Sequence, residues 1–312
     1  CGLRCGRHHP RQCNSYAEVI YPMKKPLWQS AKAVLHKEEK MELEELKEAA
    51  RRIRRATIQS IHAVGTGHAG GALSIADLLA VLYFDEMRVR PEDLNWAERD
   101  RFVLSKGHAC ASLYAALAER GYFPAEELLT LRQYGSRLQG HPDMKVTPGL
   151  DMSSGSLGQG LSIGNGMALA AKLRKMDYRV YVLLGDGEIE EGQIWEAAMT
   201  ARRYALDNIV AIVDANGLQI NGTVEEVAGL SDIGARFAAF GWHVIDIDGH
   251  DLAAIRAAFA AARETAGVPT VIVAHTVKGK GISYMENQAK WHSGVPSEDE
   301  YRTALRELGG EA

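Results

Sequence analysis

The sequence has few cysteines, no long apolar run and no large excess of either charge. Four cysteines in 312 residues are too few for a disulfide framework, and Cys110 is predicted to be a buried free thiol in an apolar helix. No run approaches the ~20 apolar residues that a membrane helix needs. A net charge of −4 gives no basic surface for nucleic acid and no electrostatic attraction to a membrane. These absences favour a globular, cytoplasmic protein.

The first forty residues differ in composition from the rest. They lack apolar periodicity and the apolar core of a secretory signal. We expect residues 1–40 to be a disordered leader or an artefact of start-site choice; a targeting segment is the alternative, which the Arg content permits and the scarcity of Ser opposes. A zinc site is a weak further possibility, because the spacing of its candidate ligands matches no structural zinc pattern well. Those candidates are Cys1, Cys5, Cys13, His8 and His9. We expect one domain over residues 41–312.

Helical and strand patterns alternate along residues 41–312. Residues 42–64 have helical spacing of apolar side chains. The glycine-rich residues 65–71 are predicted to be an irregular loop, and Ser74 is predicted to cap a helix that ends at Tyr83. Further strands are predicted at 102–105, 180–184, 209–214, 243–248 and 270–275, with helices at 109–120, 194–204, 251–265 and 297–308. Residues 155–160 are predicted to open another helix, which runs through Ala171. The alternation indicates an α/β fold, with a doubly wound, mostly parallel sheet and helices on both faces.

A carboxylate and an amide follow two neighbouring predicted strands. Gly185-Asp186-Gly187 comes after one strand, and Asn216 follows the next, thirty residues after Asp186. The carboxyl ends of parallel strands meet at one edge of a sheet, where ligands collect. Oxygen ligands suit Mg²⁺, which fills its remaining positions with water and phosphate, and glycines let backbone N–H groups approach phosphate oxygens. The spacing therefore predicts a site for a hard cation that can hold a phosphate group.

Four histidines lie in glycine-containing loops that are predicted along the same side of the sheet. His68, His108 and His141 each follow a glycine, and His292 precedes Ser293-Gly294. A lone histidine is usually structural, but glycine lets each loop bend tightly and present the imidazole to a cleft. Imidazole titrates near neutral pH, so such a side chain is able both to give and to accept protons.

These motifs, in this order, resemble the N-terminal half of the transketolases, a family of thiamine diphosphate enzymes. The resemblance covers about residues 42–305, and Ala69 and Ser156 stand where the family often has Pro. The matching segments are Thr-Gly-His-Ala-Gly at 66–70, Leu-Ser-Lys-Gly-His-Ala at 104–109, Gly-His-Pro at 140–142, Gly-Ser-Leu-Gly-Gln-Gly at 155–160, Gly-Asp-Gly at 185–187 and Lys-Gly-Lys-Gly at 278–281. The probability that so many motifs agree in order by chance is very small. The resemblance implies the thiamine diphosphate-binding fold.

The resemblance implies how the cofactor is anchored. The Asp186 carboxylate, the Asn216 amide and the carbonyl of Leu218 would hold Mg²⁺, with Ca²⁺ or Mn²⁺ as substitutes, and the metal would hold the diphosphate of thiamine diphosphate. Gly185 and Gly187 would lie beside that diphosphate. The cofactor would supply the carbanion chemistry, and the protein would orient it.

The resemblance also implies roles for the other motifs. Four histidines would line the channel to the thiazolium, where they would bind sugar hydroxyls and transfer protons. They are His68, His108, His141 and His292. His108 and His292 would also neighbour the diphosphate, and Gly155 and Leu157 would contact the aminopyrimidine. Glu191 would join a carboxylate network across a dimer interface; a first-turn carboxylate favoured by the helix dipole is an equal alternative. Two interpretations apply to Lys278 and Lys280. They could face phosphate, but the favoured interpretation is that they lie in a mobile solvated loop.

The family resemblance implies a reaction and a partner. Transketolases transfer a two-carbon ketol unit from a ketose phosphate to an aldose phosphate, as in the pentose phosphate pathway of carbohydrate metabolism. Their activating glutamate lies on a second domain, which has no counterpart before residue 312. We therefore expect the N-terminal subunit of a split transketolase. It would be active only with a C-terminal pyrimidine-binding subunit, most simply in an α₂β₂ heterotetramer.

Three alternatives stay open. The first is another thiamine diphosphate enzyme, similar to 1-deoxyxylulose-5-phosphate synthase or to a transketolase for unusual sugars. A nicotinamide-binding domain is disfavoured because no Gly-x-Gly-x-x-Gly follows a first strand with an acidic residue beyond it. A non-catalytic cofactor-binding module is disfavoured because Asp186, Asn216 and the four histidines occur together.

Overall fold

A sheet of five parallel strands lies at the centre of the described chain. The computed structural model describes residues 41–229 and 232–310, so the predicted leader and its cysteine–histidine cluster lie outside the described residues. The sheet strands are β1 Arg101–Leu104, β2 Val180–Gly185, β3 Ile209–Ala215, β6 His243–Asp248 and β7 Thr270–His275; a separate antiparallel hairpin contains β4 Leu218–Gln219 and β5 Gly222–Thr223. The spatial order in the sheet is β1-β2-β3-β7-β6.

Helices surround this sheet. Their bounds are α1 Leu43–Val64, α2 Ala69–Leu73, α3 Ala76–Val81, α4 Cys110–Arg120, α5 Gly160–Arg174, α6 Gly192–Arg203, α7 Val224–Ala228, α8 Ile233–Ala239, α9 Leu252–Glu264 and α10 Glu298–Glu307. A π-helical turn at Leu82–Glu86 follows α3, and 3₁₀ turns occur at Gly107–Ala109, Ala125–Thr130, Glu188–Glu190 and Ala289–His292. None of these described helices combines the length and the apolar character that crossing a bilayer requires.

Alternate side chains of the strands pack on opposite faces of the sheet. Tyr181 and Leu183 of β2 belong to an apolar core with α1, α3, α4 and α9. Val182 and Leu184, their neighbours along the strand, belong to a second core with α5, α6 and α8. Because both faces are covered, β2 is buried along its whole length, as parallel strands usually are. The predicted doubly wound α/β fold with helices on both faces is confirmed.

The strand register brings three loops to one edge of the sheet. Gly185 at the end of β2 pairs with Asp214 of β3, and Asp214 pairs with Ala274 of β7. The chain therefore leaves these three strands at nearly the same height. Asp186 and Asn216, predicted to meet at this edge, both begin their loops here.

The first helix agrees with its sequence pattern, but the glycine-rich segment after it agrees only in part. α1 begins after a capping box of Glu42 and Glu45 and ends at Gly65, which has a φ of 68°. The prediction of an irregular loop over residues 65–71 is confirmed for residues 65–68 and wrong for residues 69–71, because α2 begins at Ala69. A Cβ on Gly70 would lie 2.9 Å from the carbonyl oxygen of Trp291. The glycine in this helix therefore permits a close contact with another segment, which local sequence does not reveal.

Ser74 ends a helix, although we predicted that it starts one. It is the C-terminal cap of α2, and the helical segment after it is α3 with its π-helical turn. The Ser74 hydroxyl donates to the carbonyl of Gly71 at 3.1 Å and to Asp214 Oδ2 at 2.8 Å. Its hydroxyl thus bonds to the end of β3 instead of a helix N-terminus.

The prediction for Cys110 is confirmed: it is a buried free thiol, and burial raises its pKa to about 12.

Candidate functional site

A cavity of about 300 Å³ opens where the loops after β1, β2 and β3 meet. Eleven of the twelve residues predicted for the site line it: His68, His108, His141, Gly155, Leu157, Gly185, Asp186, Gly187, Asn216, Leu218 and His292. Its wall also contains residues beyond that predicted set: Gly71, Lys106, Glu188, Gln219, Ile220 and Lys278. The fold thus collects segments that are more than 200 residues apart in the sequence.

Hydrogen bonds connect the loops that carry the three residues predicted to hold a metal. The N–H of Gly217 donates to Asp186 Oδ2 at 2.5 Å, which ties the β2 loop to the loop that carries Asn216. The N–H of Leu218 donates to Asn216 Oδ1 at 3.1 Å. The carbonyl of Leu218 accepts from Lys278 Nζ at 3.0 Å, so a cationic group already contacts one of the three predicted oxygen donors.

The chemistry of these donors fits a hard cation. In the described part of the chain, no group of three or more His, Cys, Asp or Glu could hold a metal. A metal at this cavity therefore depends on one carboxylate with amide and backbone carbonyl oxygens, which suits Mg²⁺, Ca²⁺ or Mn²⁺ better than zinc. Burial raises the pKa of Asp186 to about 6, and the nearby Asp214 charge contributes to this rise. A bound cation would relieve that unfavourable charge.

A buried ion pair behind the cavity was not predicted from the sequence. Asp214 is fully buried, and its Oδ2 accepts from Lys106 Nζ at 2.5 Å, while Lys106 also donates to the carbonyl of Gly71 at 2.8 Å. Ser74 and Thr276 donate to the same carboxylate. Burial alone would raise the pKa of Asp214, but the Lys106 ammonium and these donors hold it below its usual value. The sequence signal was a charged residue at the end of an apolar strand.

Asp214 also orients the predicted metal ligand. Asn216 Nδ2 donates to Asp214 Oδ2 at 2.9 Å. A carboxylate can only accept, so this contact assigns the nitrogen to the Asp214 side and leaves Asn216 Oδ1 as the acceptor of the amide. Fixing a ligand from behind in this way is a common feature of metal sites.

Lys278 is buried, which contradicts the favoured interpretation of a mobile solvated loop. It is 3% exposed, and burial followed by the nearby Lys106 lowers its pKa to about 8. Lys280 is partly exposed and lies 3.6 Å from Glu286. The two lysines, two positions apart, therefore differ in surroundings because the chain turns between them at Gly279, whose φ is 79°.

Three of the four histidines form one cluster. The ring centroids of His68, His108 and His292 are 5.1–5.5 Å apart. His141 lies against another cavity residue, because a Cβ on Gly155 would be 3.1 Å from its ring. Gly155 has a φ of 148°, a conformation that favours glycine.

Burial lowers the pKa of each clustered histidine below its usual value, which favours neutral imidazoles at pH 7. Burial lowers the pKa of His108 to about 2, with Lys106 as the next cause. Burial also lowers the pKa of His68 and His292 to about 4, assisted by Arg132 and Lys278 respectively. Neutral imidazoles present one N–H donor and one acceptor each, so the cluster can bind hydroxyl and carbonyl groups.

Glu188, not Glu191, is the glutamate at the cavity. Glu188 accepts from the N–H groups of Gly158 and Gly185, each at 3.0 Å, and from the Ser105 hydroxyl. It is buried and joins three loops. Glu191 is exposed and lies outside the cavity, where it precedes α6 and packs against Gly158. Its role in a network between subunits stays a prediction.

Comparison with known proteins gives a consistent result. Residues 46–312 match the family described as "Transketolase, thiamine diphosphate binding domain". The chain is 46% identical over 268 residues to one subunit of the apulose-4-phosphate transketolase of Phocaeicola vulgatus, with 86% of this chain and 95% of that protein covered. It is 46% identical over 264 residues to a 6-deoxy-6-sulfo-D-fructose transketolase subunit of a Clostridium species, covering 85% of this chain and 96% of that protein.

A solved structure shows the same fold. The transketolase of Campylobacter jejuni has a TM-score of 0.82 and 32% sequence identity to this chain, and the match covers 87% of this chain and 44% of that one. This chain therefore spans less than half of that protein but nearly all of the two subunits.

Proposed function

We propose, because this chain belongs to the transketolase thiamine diphosphate-binding family, that it is the diphosphate-binding subunit of a two-chain transketolase. The observation that carries the proposal is the joint placement of Asp186, Asn216, Leu218 and a neutral imidazole cluster around one cavity. A degenerate module would have no physical need to keep these groups together. The names of the two bacterial relatives, which this chain covers almost completely, support a separate subunit.

Thiamine diphosphate and Mg²⁺ would lie in this cavity. Asp186, Asn216 and the Leu218 carbonyl would hold the metal, with Ca²⁺ or Mn²⁺ as substitutes. The backbone of Gly185 and Gly187 would lie beside the diphosphate. When bound, the cofactor supplies the electron sink for ketol transfer, and this chain supplies its anchoring.

The side chains around the cofactor would bind the sugar and the rings. Gly155 and Leu157 would contact the aminopyrimidine, and His108 and His292 would neighbour the diphosphate. Because their pKa values are low, the imidazoles would act first as hydrogen-bond donors and acceptors to sugar oxygens, and a proton taken up during reaction would leave again readily. The set proposed for this work is His68, His108, His141 and His292.

The partner and the substrate follow from the same family. We propose that the partner is a C-terminal pyrimidine-binding subunit, in an α₂β₂ assembly that places the cofactor between the two kinds of chain. The reaction is transfer of a two-carbon ketol unit from a ketose phosphate to an aldose phosphate. The names of the two subunit relatives specify apulose-4-phosphate and 6-deoxy-6-sulfo-D-fructose, so one of these two sugars is the second candidate substrate.

The test is to purify the full chain with and without a pyrimidine-binding partner subunit and to measure ketol transfer from a panel of ketoses. We expect turnover only from the pair, and only with thiamine diphosphate and a divalent cation. Turnover by the chain alone would overturn the two-chain proposal. Pyruvate and glyceraldehyde 3-phosphate test the synthase alternative, and thermal shift with NAD tests the nicotinamide one.

A further inference from the structure

Arg132, a residue outside the cavity wall, contacts the first of the cavity histidines. Its Nη2 lies 3.1 Å from His68 Nδ1, and its Nη1 donates to the Thr66 hydroxyl at 3.0 Å. The guanidinium thus bonds two side chains of the loop that leads into α2. Arg132 is not among the residues predicted from the sequence, because no local motif marks it.

The backbone around Arg132 is built to hold it there. Arg132 has a φ of 62°, which is unfavourable for a residue with a side chain. Its N–H donates to the carbonyl of Leu138 at 2.7 Å, which closes the loop. A Cβ on Gly140 would lie 2.9 Å from Arg132 Nε, so the glycine of the Gly-His-Pro segment leaves the space that the guanidinium occupies. An unfavourable conformation that the surroundings maintain in this way points to a function.

The contact decides which nitrogen of His68 carries the ring proton. Arginine has five N–H donors, no acceptor, and stays charged at every physiological pH. His68 Nδ1 must therefore accept, and in the neutral ring the proton lies on Nε2. Nε2 makes no hydrogen bond to any residue in the described ranges, while the ring lines the cavity.

We propose that Arg132 is a positioning residue, which holds His68 as a neutral imidazole with its proton on Nε2, so that it presents a hydrogen-bond donor to the cavity. The acceptor would be a hydroxyl or carbonyl oxygen of a sugar, and in this respect the inference rests on the proposed function. It also gives Gly140 a purpose. The Gly-His-Pro segment provides His141 to the cavity and, through the space at Gly140, the support for His68.

The charged and titratable groups that face His68 allow this role to be isolated. They are Arg132, His108, His141, Lys278 and His292. Burial lowers the pKa of His68 to about 4, and Arg132 is the next cause. Replacing Arg132 leaves the burial and the other four groups in place, so a change in His68 reports on the guanidinium.

The test is nitrogen-15 NMR of the full chain labelled at histidine, with His68→Gln to assign the signal. In the unmodified chain, we expect His68 to be protonated on Nε2 alone at pH 7 and to remain neutral down to about pH 5. In Arg132→Met, we expect a detectable Nδ1–H form and a titration midpoint at least about one pH unit higher. Arg132→Lys, which keeps a charge and a donor, should restore most of the original behaviour.

Two further variants separate this role from a general effect on folding. Arg137→Met removes a guanidinium from the same loop, where it bonds Glu127 instead of a histidine, and should leave the His68 signal unchanged. Gly140→Ala displaces the Arg132 side chain but keeps the arginine. It should change the nitrogen-15 signal of His68 in the same direction as Arg132→Met does. A proton on Nδ1 of His68 in the unmodified chain would overturn the inference, as would equal His68 spectra for Arg132→Met and Arg137→Met. Because neither cofactor nor partner is present, this result is independent of the ketol-transfer assay.

Discussion

Asp186 and Asp214 are buried carboxylates at the ends of neighbouring strands, yet their surroundings are opposite. Asp214 is paired with Lys106 and accepts three further hydrogen bonds, and its pKa is lowered despite burial. Among the described residues, Asp186 accepts only from backbone N–H groups, those of Gly187 at 2.9 Å and Gly217 at 2.5 Å, and its pKa is raised to about 6. One carboxylate is neutralised by a lysine of the chain, whereas no cation is bonded to the other within the described ranges. This contrast separates a residue that supports the site from one that is proposed to bind the metal.

The largest loss of stability is expected from breaking the ion pair between Lys106 and Asp214. Lys106→Met would leave the Asp214 carboxylate buried without its cation and should lower the free energy of unfolding by about 3–5 kcal/mol. Denaturant unfolding of the full chain measures this. The control is Lys172→Met, which breaks the exposed pair with Asp207 and should cost at most about 1 kcal/mol. If Lys106→Met/Asp214→Leu were no more stable than Lys106→Met alone, the uncompensated charge would not be the cause.

Removing the other carboxylate should affect binding more than folding. We expect Asp186→Asn to weaken thiamine diphosphate binding in the presence of Mg²⁺ by at least about 100-fold, because a direct ligand counts for more than the roughly 10–100-fold of an outer-shell partner. Isothermal titration of the two-chain complex measures it. The matched variant is Asp246→Asn in β6, which is exposed and outside the cavity. Equal affinities for these two variants would contradict the metal assignment.

The raised pKa of Asp186 and the lowered pKa of Asp214 should change the stability of the protein with pH in opposite directions. Because the folded pKa of Asp186 is about 6 and its ordinary value is 3.8, the folded state binds more protons than the unfolded state between these values. Stability from this group therefore falls as pH rises from about 4 to 6, then stays constant. Relative to Asp186→Asn, the unmodified chain should lose stability over that interval, by no more than about 3 kcal/mol. An unchanged difference across this interval in denaturant unfolding would contradict the raised pKa.

The smallest effect is expected where one donor among several is removed. Ser74→Ala takes one hydrogen bond from Asp214 but leaves Lys106, Thr276 and Asn216 in place. We expect a loss of about 1 kcal/mol in the free energy of unfolding and a change of less than about 10-fold in cofactor affinity. A loss as large as that of Lys106→Met would mean that the hydroxyl, and not the ammonium, dominates the support of Asp214.

The sequence predicted the elements and loops whose signals are local. An apolar run followed by Gly-Asp-Gly marks the end of β2 wherever the chain goes next, and the α/β alternation determines the edge at which Asp186 and Asn216 meet. The end of α1 at Gly65 follows from the same kind of local rule.

What the sequence did not predict depends on partners far along the chain. Lys106 and Asp214 are 108 residues apart, and Arg132 reaches His68 across 64 residues. α2 has a glycine-rich sequence that disfavours helix, and its contacts with the segment at Trp291 override that preference. Lys278 resembles a surface lysine until the fold buries it. Side-chain partners of this kind are set by tertiary packing, which composition and periodicity do not encode.

The single carboxylate of Glu188 is shared among the segments that contain Ser105, Gly158 and Gly185. These three segments can therefore be exchanged for those of a relative only together. A chimera that receives one of them from a relative with a different residue at position 188 would leave unmatched polar groups in the protein interior. Transplanting all three together with their glutamate would carry the geometry across intact, and this defines the smallest portable block for redesigning the cavity.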